Sequence, residues 1–453
     1  MQTPTSPRPV SPGPELRRVL TLGDLVFYGI VLITPIAPVG VFGLASRMSH
    51  GHAATTILLA MLAMMLTAAS YGRMAAIYPV AGSAYTYVSR GFNPHAGFLV
   101  GWAMFLDYLI IPVINTIYIA LTLGRLFPQV PFAVWALLTV GSITLLNVRG
   151  VSFTARANQV LLAVMSVVIG VFLFDAVRYL WQLAGWPGVF SIKPFYNPQT
   201  FDLRSIATAT SLAALTYIGF DGITTLAEEV RDPRRTVPLA TVLTCLIIGI
   251  LSTIEIYLAH QVWPNFWQFP NVETAFLDVC RRAGGEALFH AIAALLVIAC
   301  WGSGLTGQAG AARLLYGMGR DAVLPRKFFG RLDARSGVPT GNVLLLGVLT
   351  FGAALAVSWE HAVELLNFGA FLAFMGVNLV CFRAVLANPG AHRRWTRALA
   401  PLGGFLFCLT IWLSLPLPAQ VAGGAWFLAG VVFLAWRTRG FRIPPADLGF
   451  KES

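Results

Sequence analysis

Two acids stand where acids are costly. Asp221 lies between Gly219 and Gly222 in the apolar run SLAALTYIGFDGITTLAEE, and Asp107 precedes Tyr108 in GWAMFLDYLIIPVINT. A carboxylate in such surroundings attracts a cation or carries a proton, and an acid inside a membrane segment marks a functional site by default. The glycines point the same way. Bare backbone interrupts a helix, and lipid offers no partner to the groups released, so a break is tolerated only against protein or a watery cavity. Carbonyls freed near Leu215 to Gly219 would sit at the negative end of a half-helix and favour a cation. Tyr217 and Phe220 flank Ile218 and Gly219; their rings can stack on an amine or close the site, with interface packing as the alternative. Asp107 and Tyr108 have the same two readings, helix-interface partner or site.

Further along, Glu228, Glu229 and Asp232 meet Arg231, Arg234 and Arg235. A membrane-exit ion-pair cluster accounts for all of these but Glu228. Burial favours the protonated form of a carboxyl, so Asp221 and Glu228 are the candidates for proton coupling, with Glu255 as a second proton candidate nearer the outer surface. Sodium is the other coupling ion: Ser303 and Thr306 could offer oxygens, but they stand among Gly302, Gly304, Gly307 and Gly310, a pattern that close helix packing also explains. The seven histidines are scattered, with no metalloprotease His-Glu-x-x-His helix, and the five cysteines show no metal-ligand or disulfide spacing. No enzyme chemistry, metal or cofactor is expected.

The elements that position these residues are membrane spans. The chain of 453 residues is 57% hydrophobic and 11% charged, with mean hydropathy +0.72, too apolar for a soluble domain. A window of about nineteen residues predicts twelve helices, over 23–46, 53–77, 95–124, 131–148, 158–180, 205–228, 237–260, 286–312, 340–358, 361–386, 398–416 and 421–437. The net charge of +12 is topological and implies no nucleic acid: with the N-terminus inside, 24 of the 31 basic residues fall on cytoplasmic segments. The positive-inside rule then puts both termini in the cytoplasm. The proline-rich first twenty residues lack an apolar core, so no cleaved signal peptide is expected.

The first span, GDLVFYGIVLITPIAPVGVFGLAS, is interrupted too. Pro35 and Pro38 flank Ile36 and Ala37, with Thr34 before them, and two prolines remove two helical hydrogen bonds. Interrupted segments at corresponding positions of two halves are the best sequence pointer to a transporter site. The predicted plan is an all-α membrane protein with a 5+5 inverted repeat. A tail (1–20) leads into the first five-helix repeat (21–182), the inverted second repeat (203–388), helices 11 and 12 (398–438) and a second tail (439–453). Asp107, about 20 Å beyond Pro94 along its helix, reaches the middle of the bilayer or beyond.

The chain resembles the amino acid, polyamine and organocation permeases, and within them bacterial putrescine importers. The resemblance rests on SYGRMAAIYPVAGSAYTYVSRGFNPHAGFLVGWAMFLDYLIIPVINT, YIGFDGITTLAEEVRDPRRTVPLA, ARLLYGMGRDAVLP and LLNFGAFLAFMGVN. It implies a leucine-transporter-like fold with spans 1 and 6 broken. The substrate, a small amine such as putrescine or a related polyamine, or else an amino acid, is then held between spans one, three, six, eight and ten. Thr34, Ile36, Ala37, Asp107, Tyr108, Tyr217, Ile218, Gly219, Phe220, Asp221 and Glu228 are the expected binding residues. The expected placement is multi-pass in a bacterial inner membrane, and the expected activity is import by secondary active transport coupled to protons, with sodium ranked below them. One departure stands out: similar putrescine importers carry an aspartate shortly after Thr-Pro in the first span, and here TPIAPVGVFG has none.

Overall fold

The computed structural model describes residues 18–445 apart from 80–82, 151–154, 321–323, 334–335 and 388–393. The proline-rich stretch before residue 18, most of the second tail, and Arg8, Arg17, Arg335, Arg393 and Lys451 lie outside the described residues. Among those described, the chain is helical, in the order α1 Leu22–Ile33, α2 Ala37–Met48, α3 Ala53–Ile77, α4 Ser83–Gly91, α5 Pro94–Leu126, α6 Phe132–Val148, α7 Ala155–Ala184, α8 Trp186–Val189 and α9 Leu203–Ala213. Two 3-10 segments, Ala214–Tyr217 and Phe220–Glu229, precede α10 Pro233–Val262, α11 Ala275–Arg320, α12 Arg326–Phe329, α13 Thr340–Ala356, α14 Trp359–Leu386, α15 Arg394–Leu413 and α16 Leu417–Arg437.

Among the described residues, eight helical stretches are long and apolar enough to cross a membrane; α1 and α2, bent by 51° at a short break, can form a ninth span together. Three more apolar helices, 132–148, 340–356 and 397–413, are shorter. The protein is therefore a multi-pass membrane protein. Helix α10 packs along α3, α11 along α5, and α14 between α5 and α15. Most of α14 is buried, whereas α7 and α16 leave most of their length exposed.

One boundary differs from the expectation. The eighth span was expected at 286–312, yet helix begins at Ala275 and passes through Gly285, whose φ of 76° and ψ of −168° mark a kink. The run AFLDVCRRAGGE, polar enough to look like external loop, buries Phe276, Leu277, Val279 and Cys280, and Asp278 with them. It is a helix covered on all sides from Ala275 to Cys280 and joined to the span by a glycine hinge. All five cysteines are free and four are buried, as packing residues are.

Candidate functional site

Both broken spans open in the same way. Thr21 caps α1, forming a capping box with Asp24, and Asp202 caps α9 by accepting the Ser205 N–H at 2.8 Å. Such caps satisfy amide groups that have no partner inside the helix. The helices that follow have similar lengths, 12 residues in α1 and 11 in α9, and each ends at a break.

The first break is short. Proline at 35 disfavours the helical region for the residue before it, and Thr34 adopts φ 65°, ψ 132°. Ile36 is the N-cap of α2, and Pro38 falls in its first turn, where a missing N–H leaves nothing unsatisfied. Ile36 is buried, and Thr34 and Ala37 are half-buried.

The second break is longer. Ile218 is extended, Gly219 has φ 118°, and the 3-10 segment from Phe220 to Glu229 takes the place of an α-helix. The hydroxyls of Thr224 and Thr225 donate to the carbonyls of Asp221 and Gly222, each at 2.7 Å. In the run Ile223, Thr224, Thr225, β-branching lowers helix propensity and hydroxyls compete for backbone carbonyls. The two breaks meet: a β-carbon on Gly219 would stand 3.5 Å from the Leu32 carbonyl oxygen and 3.7 Å from Ile33.

Phe220 and Asp221 follow that contact directly in the chain, and not every expected residue joins them. Asp107 is buried in α5 against Gly369 of α14, its Oδ1 has no hydrogen-bond partner, and it lies within electrostatic reach of Asp221. Asp221 Oδ2 accepts the Ser83 hydroxyl at 3.4 Å, so α4 closes on the break from the side of the α3–α5 connection. Phe220 is wedged between Tyr71, 5.4 Å away, and Phe374, 5.3 Å away, and Tyr71 also meets Tyr87 at 6.1 Å.

Tyr217 is turned the other way, its hydroxyl donating to the Ile57 carbonyl at 2.9 Å, which is the packing alternative. Tyr108 packs under Gly310 of α11, on another side of α5 from Asp107. Glu228 lies at the far end of the 3-10 segment, beside Glu229, whose carbonyl accepts the N–H groups of Val19 and Leu20. Ser303 and Thr306 both lie on the exposed side of α11; Ser303 Oγ accepts from Asn115 and the Thr306 hydroxyl donates to the carbonyls of Gly302 and Ser303. Glu255 is fully buried and neither of its carboxylate oxygens has a partner. His52 is satisfied at both ring nitrogens, by the Ser49 carbonyl and the Asn197 N–H. Among the described residues no group of three or more His, Cys, Asp or Glu could hold a metal ion.

Sequence reasoning passed over Ser83, Gly369 and Glu364. For Glu364 there was a signal, an acid inside the apolar run 361–386.

Residues 25–417 match the amino acid permease family. The low-affinity putrescine importer PlaP of Escherichia coli is 32% identical over 440 residues, covering 95% of this chain and 96% of the importer. The branched-chain amino acid permease BcaP of Lactococcus lactis is 25% identical over 93% of this chain and 95% of its own length. The vacuolar cationic amino acid transporter 4 of Arabidopsis thaliana is 28% identical over 80% of this chain and 62% of its own.

Proposed function

The chain belongs to the amino acid permease family of membrane transporters, and from that premise we propose that it imports a small amine, putrescine or a related polyamine, by proton-coupled secondary transport. One observation carries the reading: Asp107 of α5, buried against Gly369 of α14 with one oxygen lacking a partner, lies within electrostatic reach of Asp221, which follows the second break. An ammonium group leaving water needs such carboxylates to offset its desolvation. The likeness to a putrescine importer supports the same substrate class.

In this reading the three shorter helices also span, giving twelve spans in a 5+5 inverted repeat, with 21–182 and 203–388 as its halves. The matching caps and half-helix lengths of α1 and α9 support that symmetry. The excess of basic residues on one set of connections supports cytoplasmic termini and an inner-membrane location. Thr34, Ile36, Ala37, Ile218 and Gly219 supply backbone at the site, Phe220 closes it, and Asp221 exchanges the coupled proton. Tyr108 and Glu228 act from its margins, Glu228 as a proton relay toward the cytoplasm. The hydroxyls of Ser303 and Thr306 are engaged locally, with Asn115 and with the carbonyls of Gly302 and Ser303, which favours protons over sodium.

A second reading, an amino acid permease or amino acid/amine exchanger, is supported by the branched-chain and cationic amino acid relatives and by the missing acid in the first span. Uptake into proteoliposomes separates the two. Labelled putrescine should accumulate faster when the outside is acidic and the inside negative. Uptake that follows neither the pH gradient nor the potential, or thermal stabilisation by leucine but not by putrescine, would overturn the amine reading.

A further inference from the structure

Where α5 ends and α14 begins, on the outer side in the orientation proposed above, a second group of acids lacks a partner. Glu364 of α14 is 1% exposed and neither of its carboxylate oxygens is hydrogen-bonded. Tyr118 of α5 is 3% exposed and its Oη is unpaired too. The Tyr118 ring lies 5.4 Å from that of Trp359, and both close over Gly40 in the first turns of α2.

Glu360, one turn before Glu364 on the same face of α14, acts electrostatically on Glu364 and on Glu273, and Glu273 acts on Tyr118. Glu273 comes from the connection between α10 and α11, which packs so closely on Gly43 of α2 that no β-carbon fits there. Among the described residues none of the three glutamates forms an ion pair. Burial, with the field of Glu360, holds the Glu273 carboxyl above the usual glutamate range.

A buried carboxylate without a partner is expensive, and the three are not placed to share a metal ion. An ammonium group supplies the missing charge as well as N–H donors for the carboxylates and for Tyr118 Oη, and the two aromatic faces attract it further. We propose that Glu364, Glu360 and Glu273, with Tyr118 and Trp359, form an outer ammonium site, separate from the Asp107–Asp221 site, where an incoming amine stops first. The proposal rests on the amine reading above.

Helix α14 links the two levels. Glu360, Glu364, Asn367, Phe371 and Phe374 recur at three- and four-residue spacing and so share one stripe. Asn367 Nδ2 donates to the Ser211 carbonyl of α9 at 2.6 Å, and Phe374 meets Phe220. From Glu364 to Phe374 the helix rises about 15 Å, whereas an extended four-carbon diamine spans roughly 6 Å. One such molecule does not reach from Glu364 to the Phe220 layer.

The test is binding stoichiometry, measured with labelled putrescine on purified full-length protein whose size-exclusion profile matches wild type. Wild type should hold two putrescines per chain at saturation, Glu364→Gln one, Asp107→Asn one, and the double variant none. Should Glu364→Gln fold poorly, Glu360→Gln with Glu273→Gln replaces it, with the same loss expected. A wild type that holds one putrescine, lost in Asp107→Asn and kept in Glu364→Gln, overturns the outer site alone. A wild type that holds none overturns the amine reading together with it.

Discussion

The two broken spans solve one problem by different means. In the first, proline forces the chain out of one α-helix at Thr34 and readily starts the next, since Pro38 lies in a first turn that owes no hydrogen bond. In the second, Gly219 takes a left-handed turn and the chain stays in 3-10 geometry to Glu229. Such geometry is weaker than an α-helix and rarely runs beyond three or four residues. The first break is a fixed corner, apolar and without an acid. The second carries Asp221 and the less stable backbone. In the proposed amine site the difference teaches that a missing acid in one span is offset from elsewhere: Asp107, from α5, lies within electrostatic reach of Asp221.

If that division of labour holds, the largest effects belong to the acids. Asp107→Asn or Asp221→Asn leaves a buried ammonium half-paired, a loss of about 3–5 kcal/mol, or on the order of a hundredfold or more in amine affinity. Titration of labelled putrescine on purified variants measures it. Equal affinity in Asp221→Asn and wild type would remove the second break from the site. Backbone changes come next. Gly219→Ala places a side chain at φ 118°, at a cost of about 1–3 kcal/mol, and should slow uptake roughly tenfold, each 1.4 kcal/mol being a factor of ten. Pro35→Ala, which frees Thr34 to take helical angles at a corner that carries no acid, should slow it less. Equal losses in the two variants would erase the distinction between a fixed and a labile break.

Much of this was legible in the sequence, for physical reasons. Long apolar runs have one stable form in a bilayer, so most spans could be read directly, and Asp107 and Asp221 stood out as acids within them. The extent of the second break was not legible: glycines mark an interruption, but the 3-10 stretch depends on the Thr224 and Thr225 hydroxyls choosing local carbonyls over solvent. Nor could LDY show which of its neighbours faces the site. Adjacent helical residues diverge by about 100°, so Asp107 meets Gly369 while Tyr108 packs on α11. Glu255, near the outer end of its span, looked solvated, yet α10 is covered there and buries it completely. Glu364, an acid near the start of an apolar run, was passed over, because the run does not show that its neighbours cover it.

The smallest effect sharpens the comparison most cleanly, because it concerns what the two spans share. Asp202 caps α9 as Thr21 caps α1, and the Ser205 hydroxyl and N–H hold its carboxyl below the usual aspartate range. A depressed folded-state value means the cap's contribution is complete above the unfolded value of about 3.9 and is lost as pH falls through the folded one. Asp202→Ala should therefore lower the melting temperature in detergent slightly at pH 7, and the gap to wild type should close as the pH falls below the folded-state value. Asp202→Asn, which caps nearly as well, should show little loss at either pH. Because the cap lies a whole half-helix from the break, amine affinity should be unchanged in both variants. A change in affinity there would mean that the second break is set from its outer end, and that the corner in the first span and the unwinding in the second are not local features.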